Sequence, residues 1–249
     1  AVFNYLKKFK NLDIYFFATH NISSSQNENS LLSIKNLETN VISLTNFLEF
    51  MFLNKKKNNK LFYACSSHIF ENSLSKKQNE LTKPSFQSQY ALSKYLGLEI
   101  CHYYKNIKNV FCSVGILYTH VSKYVNNNFL IKELSTKLKK STNNIIYVNN
   151  INSELDLMSA DDAVLAMRKI MNLNKPDTFI ISSGKKVTIK NLFKEILNYQ
   201  NIETKYQIKS KKYSMKKNSK LFGDNSKLKK KTNWTIKDNL KQTVRKVLN

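Results

Sequence analysis

Leu61-Phe-Tyr-Ala-Cys-Ser-Ser-His68 and, some twenty residues on, Ser88-Gln-Tyr-Ala-Leu-Ser-Lys94 are the two stretches whose reading decides the fold. The first opens as a short, wholly apolar run of aromatic and small residues, the signature of a strand buried on both faces, and ends abruptly in two serines. The second begins a segment, Gln89 to Tyr104, whose apolar residues recur at helical spacing. Tyr90 and Lys94 are four apart, so a helix sets them on one face with the ammonium beneath the phenol. That arrangement is expected to lower the phenol pKa and to let tyrosinate act as a base toward a substrate hydroxyl. A Tyr-x-x-x-Lys pair arises often by chance, and Tyr90 alone reads equally as a core residue; its place after a strand ending in serines gives it weight.

Outward from that pair the chain keeps one rhythm. Asp13 to Ala18 is an apolar β-type run, followed by a polar loop from Asn21 to Ser30. Leu31 to Leu53 carries Ile34, Leu37, Val41, Leu44, Leu48 and Met51 at helical spacing. The Lys/Asn cluster Lys55 to Lys60 is expected to be a loop before the Leu61–Cys65 strand, and Val110 to Leu117 is the next strand. Strand, helix, strand, helix, strand predicts βαβ units and a parallel sheet. Further on, Ala160–Met171 is expected to be helical, Thr178–Ser182 a strand, and Val187–Tyr199 a helix capped by Thr188. Lys205 to Lys220 is lysine-rich and unpatterned and reads as a loop. Closing helices are expected at Asn225–Lys230 and Asn239–Leu248, around Trp234.

Composition narrows the function classes. The chain has 249 residues, is 41% hydrophobic and 12% aromatic, and is too apolar for a disordered chain. No run approaches the length of a membrane span and no basic-then-apolar leader opens it, which points to a soluble cytoplasmic protein. The net charge of +24 suggests nucleic acid. Yet only Arg168 and Arg245 are arginines, and Asn, Ile, Phe and Tyr are abundant beside four glycines and two prolines. AT-rich codon usage accounts for that whole pattern, and a selected phosphate-binding surface would favour the arginine fork. The lysines therefore read as a solvated face, with no nucleic-acid partner expected. Cys65, Cys101 and Cys112 lie in apolar settings as core thiols, and the scattered His20, His68, His102 and His120 offer no metal-ligand spacing.

In this order the motifs resemble those of the extended short-chain dehydrogenase/reductases, most closely the GDP-mannose 4,6-dehydratase branch. Phe62 to Glu71 (FYACSSHIFE) resembles the family's strand end bearing Ser/Thr-Ser-Glu. Ser88 to Lys94 resembles S-P-Y-A-x-x-K, with Gln89 in place of proline. Val114 to His120 (VGILYTH) resembles N-G-I-L-F-N-H, Leu155 to Val164 (LDLMSADDAV) resembles R-D-W-G-H-A-K-D-Y-V, and Gly223 to Trp234 resembles G-D-x-x-K-A-x-x-x-L-x-W. The likeness runs from about Phe3 to Leu248.

The resemblance implies an α/β, Rossmann-like, doubly wound parallel sheet, truncated in its N-terminal half, with a smaller C-terminal α/β substrate-binding region. Residues 1–116 are expected to be the remainder of an NADP-binding Rossmann domain, to which 155–182 return; 117–154 and 183–249 form the substrate region. It implies catalytic roles for Ser66, His68, Tyr90 and Lys94. Phe17, Ala18, Thr19, His20, Asn21, Lys94 and His120 are implied to contact the cofactor. The implied substrate is a nucleotide sugar, GDP-mannose, converted to GDP-4-keto-6-deoxymannose, in a homo-oligomer without a membrane partner.

The sequence also departs from that pattern. The glycines Gly97, Gly115, Gly184 and Gly223 cannot form G-x-G-x-x-G, so the fold pattern implies that roughly 70 residues of the family's front lie outside this chain, with Asp13–Ala18 expected at a sheet edge. His68 stands where the family has the glutamate that removes the C5 proton, and an imidazole can also serve as a base. Leu155, Val125 and Ser214 stand where the family has arginines, with Lys123, Lys212 and Lys216 nearby as point charges. Three functions stay open at this point: the dehydratase, an inactive relative serving as a binding or scaffold subunit, and a related reductase or epimerase, which needs Tyr90 and Lys94 but not the glutamate.

Overall fold

Short apolar runs separated by amphipathic helices pair in parallel, and that pairing organises the first two-thirds of the chain. The structure, a computed structural model, describes residues 2–20, 30–54, 58–141, 144–202, 206–210 and 221–249. In order they form α1 (Val2–Leu6), β1 (Asp13–Phe16), α2 (Ser30–Leu37), a π-helical turn (Glu38–Ser43), α3 (Leu44–Leu53), β2 (Lys60–Ser66), a 3₁₀ turn (Ser67–Phe70) and α4 (Gln89–Asn106). Then come β3 (Cys112–Leu117), β4 (Thr119–Val121), α5 (Leu130–Lys140), β5 (Ile145–Val148), β6 (Glu154–Ser159), α6 (Ala160–Met171), β7 (Thr178–Ile181) and β8 (Lys186–Thr188). The chain closes with α7 (Ile189–Tyr199), β9 (Gln207–Ser210), α8 (Ser226–Thr232) and α9 (Leu240–Leu248).

The main sheet has the order β1-β2-β3-β7, and every neighbouring pair is parallel. Alternate residues of β2 face opposite layers, as the strand period requires. Leu61, Tyr63 and Cys65 join Leu44, Leu48 and Met51 of α3 and Leu98, Cys101 and Tyr104 of α4 in one buried layer. Phe62 and Ala64 point the other way, into Ala163, Ala166, Met167 and Ile170 of α6, Leu228 of α8 and Trp234. Covering both faces explains why β2 reads as a continuous apolar run. Each large side chain so buried contributes about 1.5–3 kcal/mol of transfer free energy. This is the Rossmann-like doubly wound sheet, with β1 at its edge; among the described residues β1 pairs only with β2.

A third apolar layer lies apart from the main sheet. Leu134 and Leu138 of α5, Leu192, Phe193 and Ile196 of α7, and Val244 and Val247 of α9 pack together with Ile146 of β5 and Leu157 of β6. Here β6 pairs parallel with β4 and antiparallel with β8, and β5 pairs parallel with β9. Local capping fixes the helix starts: Thr188 Oγ1 accepts from Asn191 N, and Asn239 with Gln242 forms a reciprocal capping box.

The structure corrects four expectations. The helix over Leu31–Leu53 is interrupted by the π-helical turn, whose extra residue rotates the stripe. Leu44, Leu48 and Met51 are buried as expected, but Ile34 and Leu37 are exposed, and Asn36 and Asn40 take the inward face. Within Lys205–Lys220, Gln207–Ser210 is a strand; it escapes notice because it is short, largely exposed and paired to a remote partner. Val187 belongs to β8, so its helix begins two residues later. The first strand ends at Phe16, leaving Phe17 and Ala18 to the loop. Among the described residues no helix is long and apolar enough to cross a membrane.

Candidate active site

The carboxyl ends of β1, β2 and β3 open onto a cavity of about 670 Å³, the place where open parallel sheets receive ligands. Ser66 ends β2 and, in extended backbone, caps the 3₁₀ turn by accepting from His68 N at 3.3 Å. Ser88 caps α4 in the same way, accepting from Ala91 N at 3.2 Å. Those two caps aim the first turns of both segments at the cavity, so Ser66, His68, Tyr90 and Lys94 all line it.

Tyr90 and Ser66 share a side-chain hydrogen bond. The Lys94 side chain passes into the core, where it is 2% exposed, and its Nζ donates to Ala64 O at 2.9 Å. The ammonium sits 5.2 Å from the ring centre of Tyr63 and 6.0 Å from that of Tyr90. Tyr63 Oη and Cys65 Sγ both donate to Lys94 O, so β2 holds the backbone of α4 as well as its side chain.

The electrostatics differ from the expectation that Lys94 lowers the Tyr90 phenol. Burial pushes the Tyr90 phenol up to about 12, and the Ser66 hydrogen bond offsets only part of that rise. Burial likewise pushes Lys94 down to about 8, against the opposing pull of the Cys65 and Cys101 thiols. Desolvation disfavours both charged forms and outweighs their mutual attraction at this separation. Burial on the cavity floor therefore works against both the tyrosinate and the ammonium.

Opposite the floor stands His68, its side chain 51% exposed and its ring edge-on to Tyr90, centres 5.9 Å apart. Its Nδ1 is hydrogen-bonded to the Glu71 carboxylate. His120, on β4, also lines the cavity; its Nδ1 donates to Tyr118 O at 3.0 Å. Phe17 and Thr19 line it from the loop after β1, whereas Ala18 and His20 are exposed beside it and do not. An extended loop turns alternate residues outward, which accounts for that split. Asn21 lies outside the described residues, as do Ser214, Lys212 and Lys216. Val125 stands on the cavity wall, while Lys123 is turned over the Tyr124 ring at 5.3 Å.

Two contributors escaped the sequence reading. Asn40, buried in the π-helical turn, donates through Nδ2 to Thr19 Oγ1 at 3.3 Å and to Ser93 Oγ at 3.0 Å, tying the β1 loop to α4. An asparagine in the middle of a helical apolar stripe was the available signal. Glu71, three residues after His68, is the other, and only its spacing hinted at the pairing.

A model of the GDP-mannose 4,6 dehydratase family matches residues 2–247. The chain belongs to that family. It is 25% identical over 215 residues to the GDP-mannose 4,6 dehydratase of Dictyostelium discoideum, a match covering 78% of this chain and 60% of the relative. It is also 25% identical over 191 residues to GDP-mannose 4,6 dehydratase 1 of Arabidopsis thaliana, covering 75% and 53%. The chain thus spans about half the length of the curated relatives it matches. Among solved structures, RMD from Pseudomonas aeruginosa complexed with NADPH superposes with a TM-score of 0.78 at 16% identity, covering 95% of this chain and 80% of that one. The dTDP-glucose 4,6-dehydratase of Bacillus anthracis in complex with NAD gives 0.78 at 18% identity, covering 99% and 75%. These likenesses establish the shared fold. Within the family frame, Ser66, His68, Tyr90 and Lys94 fall on one cavity at the sheet's carboxyl end.

Proposed function

We propose that this chain carries the catalytic side of a nucleotide-sugar 4,6-dehydratase that converts GDP-mannose to GDP-4-keto-6-deoxymannose with NADP. The observation that carries the reading is the convergence of Ser66, Tyr90 and Lys94 at one end of β2, with His68 facing Tyr90 across the same cavity. Family membership and the named relatives support the substrate class.

The cavity floor suits a nicotinamide cofactor. Among the described residues Ala64 O is the one hydrogen-bond acceptor of the buried Lys94 ammonium, which leaves donors for hydroxyl oxygens of a ribose. Phe17, Thr19 and His120 would flank it. When bound, NADP supplies a hydride acceptor for C4 of the sugar and a donor back to C6. Tyr90 would take the proton of the 4-hydroxyl as that carbon is oxidised once it is ionised, the Lys94 ammonium and the positive nicotinamide ring offsetting the burial that favours its phenol, and Ser66 would orient the phenol and the hydroxyl by hydrogen bonding. His68 removes the proton from C5, now acidic beside a ketone, and water leaves from C6. The sugar nucleotide would extend toward the region of residues 117–154 and 183–249, and a homo-oligomer is part of the same proposal.

One observation favours a second reading. Val125 on the cavity wall brings no charge to a phosphate, and Lys123 is turned away over Tyr124. A binding or scaffold subunit without turnover would tolerate that; a reductase or epimerase would need Tyr90 and Lys94 without the C5 base. The test is to incubate the intact protein with GDP-mannose and NADP and to identify the product by NMR. A 4-keto-6-deoxy sugar is expected. Recovery of unchanged GDP-mannose, with nucleotide sugar bound, would establish the scaffold instead, and a 4-epimer or a reduced sugar would establish the other enzyme classes.

A further inference from the structure

The residue behind His68 has no role in the reading above. Glu71 uses both carboxylate oxygens: Oε1 meets His68 Nδ1, while Oε2 accepts from Gln87 N at 3.3 Å and Ser88 Oγ at 3.4 Å. A solvated i,i+3 ion pair on a surface turn would leave the carboxylate free to swing, and such pairs do little. Here the other oxygen is fastened to the residue that caps α4, the helix bearing Tyr90 and Lys94. The Glu71 side chain is only 22% exposed. Burial would raise its carboxyl pKa, but the hydrogen bond and charge of His68, then Gln87 N–H and the Ser88 hydroxyl, hold it below the usual range.

A carboxylate only accepts, so the proton between the two groups resides on His68 Nδ1. Neutral imidazole then carries its lone pair on Nε2, which has no hydrogen-bond partner among the described residues, on a ring that lines the cavity edge-on to Tyr90. We propose that His68 and Glu71 form a base dyad in which Glu71 is the positioning residue, fixing the tautomer that leaves Nε2 open to receive the C5 proton. This rests on the dehydratase reading for the identity of the proton. In the step, the C5–H bond breaks, Nε2–H forms, and the bonding pair moves into the C4 ketone to give an enolate. The enolate then expels the 6-hydroxyl, which takes the proton from Nε2 and departs as water. The Glu71 carboxylate balances the transient imidazolium charge and itself gains no proton.

The test labels histidine with ¹⁵N in the intact protein, assigns His68 by its loss in His68→Ala, and follows deuterium incorporation at C5 of GDP-mannose with NADP. The parent should show the Nδ1–H tautomer; Glu71→Ala should shift His68 toward Nε2–H and slow exchange about tenfold to a hundredfold, in kcat more than in KM. Glu71→Gln keeps an acceptor for Gln87 and Ser88, so it preserves the loop if alanine does not; it should slow exchange because a neutral amide cannot balance the imidazolium. An Nε2–H tautomer in the parent, or a tautomer and exchange rate indifferent to both substitutions, would overturn the dyad while leaving the dehydratase reading in place. The expected tautomer response without any C5 exchange in the parent would uphold the pairing and remove the dehydratase reading.

Discussion

The floor and the rim of one cavity are held in opposite ways. On the floor, Lys94 is 2% exposed and held by Ala64 O, while Tyr90 is bonded to Ser66. On the rim, the His68 side chain is 51% exposed. A change on the floor disturbs β2, α4 and the layer between them, so packing itself restrains the sequence there. A change on the rim meets mostly solvent and costs little stability.

Substitutions separate the two. The largest effect is expected from Tyr90→Phe, which removes one hydroxyl: turnover of the intact protein should fall about a thousandfold, while stability drops by about 1 kcal/mol for the lost Ser66 bond. Progress curves together with urea unfolding check both parts. Gly97→Ala tests how tightly the floor is packed. An added Cβ would lie 2.6 Å from Tyr63 Cζ and 2.8 Å from Asn40 O, a backbone atom, and would also strike the Tyr63 hydroxyl. Urea unfolding should show a loss of about 1–3 kcal/mol.

Lys94→Met should move stability the other way. The folded pKa of Lys94, about 8, lies below the unfolded value. Between the two the unfolded chain binds the extra proton, so stability rises with pH across that window, and below it the charged lysine carries its full penalty. Removing the charge should therefore stabilise the protein by about 1–3 kcal/mol at pH 7 while abolishing activity, and the gain should fade as pH rises above the folded pKa. Thermal unfolding at a series of pH values reads this directly; a gain independent of pH would show that the ammonium is not desolvated. The smallest effect belongs to the rim: His68→Ala should change unfolding free energy by no more than about 0.5 kcal/mol.

The same contrast explains what the sequence disclosed. β2 and α4 were legible because both faces of the strand are buried and the strand, turn and helix are neighbours along the chain. Thr188 announced its helix because a cap depends on residues three apart. The π-helical turn was hidden, since a stripe of Ile34, Leu37 and Val41 continued by Leu44 looks like one unbroken helix. The β5–β9 pair was hidden because its register depends on residues some sixty positions apart. Lys94 sits where its spacing put it, but the depth to which Lys94 and Tyr90 are each buried, and with it the direction of each shift, depends on how the segments around them pack. Glu71 became a partner only when the 3₁₀ turn brought it back against His68.

Deuterium incorporation at C5 of GDP-mannose, measured for the intact protein, His68→Ala and His68→Glu in the presence of NADP, tests the central claim most directly. The parent should exchange, His68→Glu should exchange because it restores a carboxylate at the same place, and His68→Ala should lose exchange while still oxidising C4. Equal exchange in the parent and His68→Ala, or exchange that appears only in His68→Glu, would contradict the assignment of His68 as the base.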